Sequence, residues 1–253
     1  MIGLHKIIDL IDTEKIEAAP CVPKDTLLIG SEILKHYGKS AIAFDMGCYD
    51  DLKHFKIIPG LIRLPYSVCW FEYSVTYDGL TNQHGLFCYC NPKIENKIVI
   101  VFISNVIGHG WVVTGMCGLV INDNNFGFIF PPNTKPSIKE YLIKTDCETL
   151  GAFLSAMNCI NVKKVKNYPP EKLQKKRIKN SKQPLFSYWT LHLKIPNDSR
   201  NNGSGGDGSH ASPRLHLRRG HPREYKPGKW TWVQPCVVGN KKNGIVMKDY
   251  AKK

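Results

Sequence analysis

The richest chemistry in the chain lies in Arg214-Leu-His-Leu-Arg-Arg-Gly-His-Pro-Arg-Glu-Tyr225. If Arg214 to Arg219 is extended, alternation places Arg214, His216 and Arg218 on one face and turns Leu215 and Leu217 inward. Gly220 permits a sharp turn that returns His221 and Arg223 towards the same surface. Lys229, Trp230 and Trp232 follow on the next extended piece, with the two indoles on a common face. Two imidazoles among guanidinium groups suit metal-independent RNA cleavage. One would take the 2′-OH proton, the other would protonate the leaving oxygen, and arginine would neutralise the phosphorane. The plainer reading is binding alone, with Arg214, Arg218, Arg219, Arg223 and Lys229 on phosphates and Trp230 and Trp232 stacked on bases.

The charge distribution favours that plainer reading. Residues 1–160 hold 13 Lys+Arg against 16 Asp+Glu, and residues 161–253 hold 22 against 5. The whole net charge of +14 therefore comes from the last third. Within it, Lys163–Lys182, with Lys175, Lys176 and Arg177 at its centre, forms a second basic cluster that invites a nuclear-targeting or nucleic-acid reading and whose plain alternative is a solvated connector. Such a basic, aromatic surface selects a phosphate-rich polymer, and RNA or single strands are favoured because no recognition helix or zinc finger is legible.

Other chemistries are weaker. His84, Cys88, Cys90, His109 and Cys117 crowd one region, but Cys-x-Cys without a matched second pair is not the spacing of a structural zinc site. Asp45, Asp50, Asp51 and Glu72 match no defensible metal-nuclease motif. No P-loop, dinucleotide fingerprint or Gly-x-Ser-x-Gly elbow occurs. No metal or other cofactor is expected. Nine cysteines without framework spacing predict reduced, mostly buried thiols. No run approaches a membrane span, and the first residues lack a secretory signal, so a cytoplasmic protein is expected.

These residues need a scaffold. Ile7, Leu10, Ile11 and Ile16 suggest a short amphipathic piece, and Thr26–Tyr37 reads as a helix with Gly38 as a left-handed C-terminal residue. Ser40–Met46 reads as a buried strand. Ser67–Thr76, Gly85–Cys90, Lys97–Val106, Trp111–Thr114 and Phe126–Phe130 read as strands of a sheet. Hairpin turns are expected at Tyr77-Asp78-Gly79 and Asp123-Asn124-Asn125. Thr145–Cys159 looks helical. Pro169-Pro170 can open a helix over Glu171–Ile178, and Leu185–Leu193 is a strong strand. Asn197–Ser212 is a low-complexity loop. Leu215–Arg219, a turn through Gly220-His221-Pro222, and Trp230–Val237 complete the chain. The expectation is an α+β fold, mainly an antiparallel sheet with a few helices. Residues 1–160 would form a near-neutral core, and the basic segment 161–253 would pack on the sheet.

The tail resembles a known group. His210-Ala-Ser-Pro-Arg-Leu-His-Leu-Arg-Arg-Gly-His-Pro-Arg, then Lys229-Trp-Thr-Trp-Val and Lys248-Asp-Tyr250, are similar to a C-terminal module of uncharacterised phage and prophage proteins. Pro170–Lys179, Leu185-Phe-Ser-Tyr and, upstream, Leu64-Pro-Tyr to Trp70-Phe-Glu-Tyr fit the same picture. The resemblance implies a viral or mobile-element origin and action in a host cytoplasm, and it carries no catalytic assignment. It also leaves room for a phage-encoded protein whose basic face meets an acidic host partner instead of nucleic acid.

Overall fold

The computed structural model describes residues 3–49, 57–90, 97–106, 108–122, 125–193, 214–218, 221–233, 236–238 and 240–245; at 77, 192–193, 214–218, 236–238 and 240–245 the backbone alone is described. Its centre is a nine-stranded sheet built from β1 (Glu17–Ala18), β2 (Ile42–Cys48), β3 (Val68–Tyr77), β4 (Leu80–Cys90), β5 (Lys97–Val106), β6 (Gly110–Asn122), β7 (Asn125–Ile129), β8 (Val162–Asn167) and β9 (Tyr188–Leu193). The order is β1-β6-β5-β4-β3-β2-β9-β8, with β7 also paired to β6. Strands β3 to β7 form an antiparallel meander, and β8 pairs antiparallel with β9. Only β2 against β3 and β9, and β1 against β6, run parallel. The fold is thus α+β with a mainly antiparallel sheet, as the sequence predicts.

Helices cover both faces. On one side lie α1 (Leu4–Asp12) and α2 (Lys24–Tyr37). In α1, Leu4, Ile7, Ile8 and Ile11 recur at helical spacing and are buried with Val68, Trp70, Phe87, Val101 and Trp111. On the other side lie α3 (Pro136–Leu142) and α4 (Glu148–Met157), joined by one π turn over Ile143–Cys147. Leu142, Leu150, Phe153 and Leu154 close over Phe44, Phe71, Leu86, Ile100 and Phe102. Alternate residues of each central strand therefore feed different cores, which explains why β3 and β5 are apolar almost throughout.

Local chemistry sets the details. The β3–β4 turn places Asp78 at φ 48° and Gly79 at φ 77°, the pair of left-handed residues a tight hairpin needs. Gly85 is required for a different reason: a Cβ there would lie 2.1 Å from the Trp70 ring. The carboxylate of Glu72, buried on the α1 face, accepts hydrogen bonds from Gly3 N–H (2.6 Å) and Trp70 Nε1–H (3.0 Å). Burial nonetheless pushes its pKa above the usual carboxyl range, and the two hydrogen bonds only partly oppose this. Burial likewise pushes the Cys69 thiol up to about 12 and raises Cys88 and Cys147, so these thiols are packing groups and not nucleophiles.

Several expectations change. Gly38 is not left-handed: its φ is −57°, and the chain runs on into a 3-10 turn over Gly38–Ser40. The predicted helix over Thr145–Cys159 is shorter at both ends, because its first residues belong to the π turn. Strand β6 runs to Asn122, well past Thr114. Gly115 and Gly118 within it are places of close approach, since a Cβ at Gly115 would meet Leu142 and one at Gly118 would meet Lys97. Residues 162–167, for which the sequence predicts no regular element, form β8. The Asp123-Asn124 turn and the 197–212 loop lie outside the described residues.

Candidate functional site

Among the described residues of the basic segment, β8 and β9 extend one edge of the large sheet. Strand β8 pairs with β9 alone, so it is the edge on this side among the described residues. Its Lys163, Lys164 and Lys166 are exposed. Lysines on an edge strand discourage pairing with other strands, which is a sufficient physical reason for this composition. Lys166 Nζ lies 5.2 Å from the Tyr168 ring centroid and 5.8 Å from that of Trp189, a cation held over two aromatic faces. Partial burial, together with the charge of Arg63, lowers the pKa of Lys164.

Helix α5 (Glu171–Lys179) sits on the α1 side of that edge and buries none of its residues. Pro169 and Pro170 precede it, and its Asp/Glu-to-Lys/Arg gradient suits the helix dipole. Polar clamps hold it. Gln174 Nε2 donates to Leu185 O and its Oε1 accepts from Leu185 N–H, both at 2.8 Å, as a strand neighbour would. Arg177 donates through Nε to Gln183 O (2.7 Å) and through Nη2 to Asp9 of α1 (3.0 Å). Arg177 is therefore a tether, whereas Lys172, Lys175, Lys176 and Lys179 stand free in solvent beside Leu173 (37 % exposed) and Ile178 (60 % exposed).

A hairpin of β11 (His221–Lys226) and β12 (Lys229–Val233) sits on the opposite side, against the end of α4. Ile160 N–H donates to Trp230 O, and the Asn161 side chain brackets the Trp232 backbone, donating to its O (2.7 Å) and accepting from its N–H. Trp232 is only 3 % exposed and packs with Ile58, Leu61, Ala156 and Cys159. Trp230 is half-buried beside it. The indole pair thus anchors the hairpin; Trp232 presents no free face for stacking, because a bulky apolar ring next to the end of α4 gains more from burial than from solvent. Arg223, Lys226 and Lys229 are exposed on the outer part of the hairpin.

The two histidines stand on different small sheets. His216 lies on β10 (Arg214–Arg218), which pairs with β13 (Cys236–Val238) and β14 (Asn240–Ile245); His221 opens β11, opposite Val233. His221 and Pro222, expected in a turn, already belong to a strand, and Gly220 lies outside the described residues. The side chains of Arg214, His216 and Arg218, and the whole of Arg219, lie outside the described residues. Lys163, Lys164 and Lys166 of β8, Lys175 and Lys176 of α5 on one face, and Arg223 and Lys229 of the hairpin on the other make up a cationic rim spread over three separate elements.

One polar cluster escapes sequence reasoning altogether. Asp146, 2 % exposed on the π turn, accepts from Tyr73 Oη–H (2.8 Å) and from Thr145 Oγ1–H (2.9 Å), and its Oδ1 lies 3.2 Å from His84 Nδ1. Tyr73 stacks on the His84 ring at 5.1 Å, and Ser104 Oγ is 3.4 Å from Nδ1. Burial, with the Asp146 charge, raises the Tyr73 pKa well above its ordinary value. His84 and Asp146 are 62 residues apart in sequence, and no spacing signal links them. Closed off from solvent, this cluster fixes the core and offers no substrate access. Asp45 and Glu72 do not join it, and Asp50 and Asp51 lie outside the described residues. Among the described residues no group of three or more metal-ligating side chains forms, and no helix is long and apolar enough to cross a membrane.

Comparison with known proteins gives one finding. Residues 154–240 match the family model described as AcrVA2-like, the anti-CRISPR type V subtype A2 family. The matched stretch begins inside α4 and runs through β8, α5, β9 and the hairpin, leaving residues 1–153 unmatched. No curated protein and no solved structure matches the chain.

Proposed function

We propose that this chain is a phage-type inhibitor of a type V CRISPR system, and that it acts by binding a protein component of that system through the cationic rim. The observation that carries the proposal is a coincidence of position. The stretch similar to an anti-CRISPR family, residues 154–240, is the stretch that builds the rim. The rim mixes free lysines with exposed Leu173 and Ile178, which suits an acidic protein surface with apolar content. Withdrawal of Trp232 into the core weakens the case for stacking bases.

Nucleic acid is the second reading, favoured by Tyr168. Its ring is 73 % exposed with Lys166 Nζ 5.2 Å from its centroid, a stacking surface next to a phosphate-seeking charge. A ribonuclease using His216 and His221 belongs under this reading and would require cleavage in EDTA that either His→Ala change abolishes.

The test is an interference assay in a bacterial host carrying an active type V system, with a pull-down of the effector complex before and after nuclease treatment. The full chain is expected to suppress interference and to retain its partner after nuclease treatment. The quadruple change Lys172→Glu, Lys175→Glu, Lys176→Glu and Lys179→Glu, checked for folding by circular dichroism, is expected to lose both. Unimpaired interference in the presence of the full chain refutes the proposal. Loss of the partner on nuclease treatment transfers the function to the nucleic-acid reading.

A further inference from the structure

The two edges of the sheet are built on opposite plans. Strand β8 carries three lysines, whereas Asn125-Phe-Gly-Phe-Ile-Phe130 on and after β7 carries no ionisable side chain. Among the described residues β7 pairs with β6 alone, at positions 118–122, and β1 meets β6 elsewhere, at Val112 and Val113. Unguarded apolar edges are rare in isolated chains because they template pairing.

The register says which atoms are offered. The pair Asn122↔Asn125 closes the hairpin, so Asn125, Gly127 and Ile129 turn their backbone groups towards β6. Phe126 and Phe128 turn theirs outward. Consistently, Phe126 N–H bonds the side-chain Oδ1 of Asn125 (2.8 Å). Phe126, Phe128 and Phe130 are each half-buried against the α3–α4 core, with Phe126 and Phe128 edge-to-face at 5.8 Å. Ile129 is exposed on the other side, and a Cβ at Gly127 would meet nothing within 4 Å.

We propose that β7 is a dimerisation edge, where two copies of the chain pair antiparallel about a two-fold axis at Phe128. In that register Phe128 faces its own counterpart and Phe126 faces Phe130 of the second copy. The outward backbone groups are then paired, and the exposed halves of six phenyl rings form one cross-strand ladder. A second copy is the fitting occupant because the sequence Phe-Gly-Phe-Ile-Phe is nearly symmetric about Phe128, and because a neutral edge does not repel itself. The cationic rim lies at the far end of the strand order, so dimerisation at β7 keeps the two positive segments apart. The proposal is independent of the partner reading.

The experiment is sedimentation of the full chain over a concentration series, with the variants Phe128→Lys and Phe128→Glu. The native chain is expected to dimerise reversibly. Each variant alone places like charges directly opposite and is expected to weaken the dimer by about tenfold or more. Circular dichroism reports that each remains folded, since either side chain can reach solvent from an edge. An equimolar mixture of the two is expected to restore a dimer with one copy of each. A native chain that stays monomeric at every concentration overturns the proposal. So does a dimer that survives Phe128→Lys, or a pair of monomeric variants whose mixture does not associate.

Discussion

Asp146 makes the sharpest claim on stability. Replacing it by Ala removes the acceptor of Tyr73 Oη–H and the partner of His84 Nδ1, both buried. Thr145 loses less, because its hydroxyl already has Tyr141 O at 2.7 Å. A buried donor left without a partner costs about 1–3 kcal/mol, so two of them predict a loss of about 2–6 kcal/mol for Asp146→Ala, towards the lower end because His84 Nδ1 also has Ser104 Oγ at 3.4 Å. That is a large share of a typical domain's stability. Asp146→Asn keeps Oδ1 for Tyr73 and His84 and puts an amide where Thr145 Oγ1 can accept, so about 1–2 kcal/mol is expected. Tyr73→Phe removes one donor together with its partner's bond and should cost a similar amount. The measurement is urea unfolding followed by far-ultraviolet circular dichroism, with the double variant Tyr73→Phe/Asp146→Ala completing a cycle. The two changes should couple, because the second no longer orphans the hydroxyl. A loss below about 1 kcal/mol for Asp146→Ala, or strict additivity in the cycle, refutes the view that this cluster fixes the core.

Glu72 makes stability depend on pH. Its folded pKa is raised above the ordinary 4.5, so the native state holds the proton longer than the unfolded chain, and stability falls as pH rises from 4.5 through the folded value. Glu72→Gln keeps an oxygen for Gly3 N–H and Trp70 Nε1–H and should flatten that fall in thermal melts across the acid range; an unchanged profile would count against it. Gly85→Ala drives a methyl into the Trp70 ring and should cost about 3 kcal/mol or more, read as a drop in the urea midpoint. Helices α1 and α5 both end with non-glycine residues in the left-handed region, Glu14 at φ 55° and Ser181 at φ 53°, each followed by a bond from the next residue back to Leu10 or Arg177. Glu14→Gly and Ser181→Gly should each raise stability by up to about 1 kcal/mol, and a loss in either would show that the side chain contributes more than its backbone costs.

The meander was legible because β3, β4 and β5 combine apolar density with plain turn chemistry at Asp78-Gly79. Helix α5 was legible from its proline pair. Strand β8 was not, since Val-Lys-Lys-Val-Lys-Asn has the composition of a solvated connector and becomes a strand only through β9, more than twenty residues later. The indoles show a second limit. Alternation groups Trp230 with Trp232 correctly, but which side of a hairpin is covered depends on where the end of α4 lies. The Tyr73–His84–Asp146 cluster joins three distant segments, and no local pattern marks such a meeting. For the rim, charge alone identified the lysines, while the tethering role of Arg177 needed Asp9, 168 residues away.

The parallel pairing of β9 with β2 has a consequence for synthesis. β2 is finished by residue 48, yet its second neighbour is β9, at residues 188–193. At about 5–20 residues per second, a nascent chain carries one side of β2 unpaired for roughly ten seconds or more after β2 has been made. During that interval Ile42–Cys48 is an open template in a crowded environment. A ribosome stalled after residue 160 would hold a sheet lacking its last two strands, β8 and β9, and such a chain should bind holdase chaperones far more readily than one released at full length.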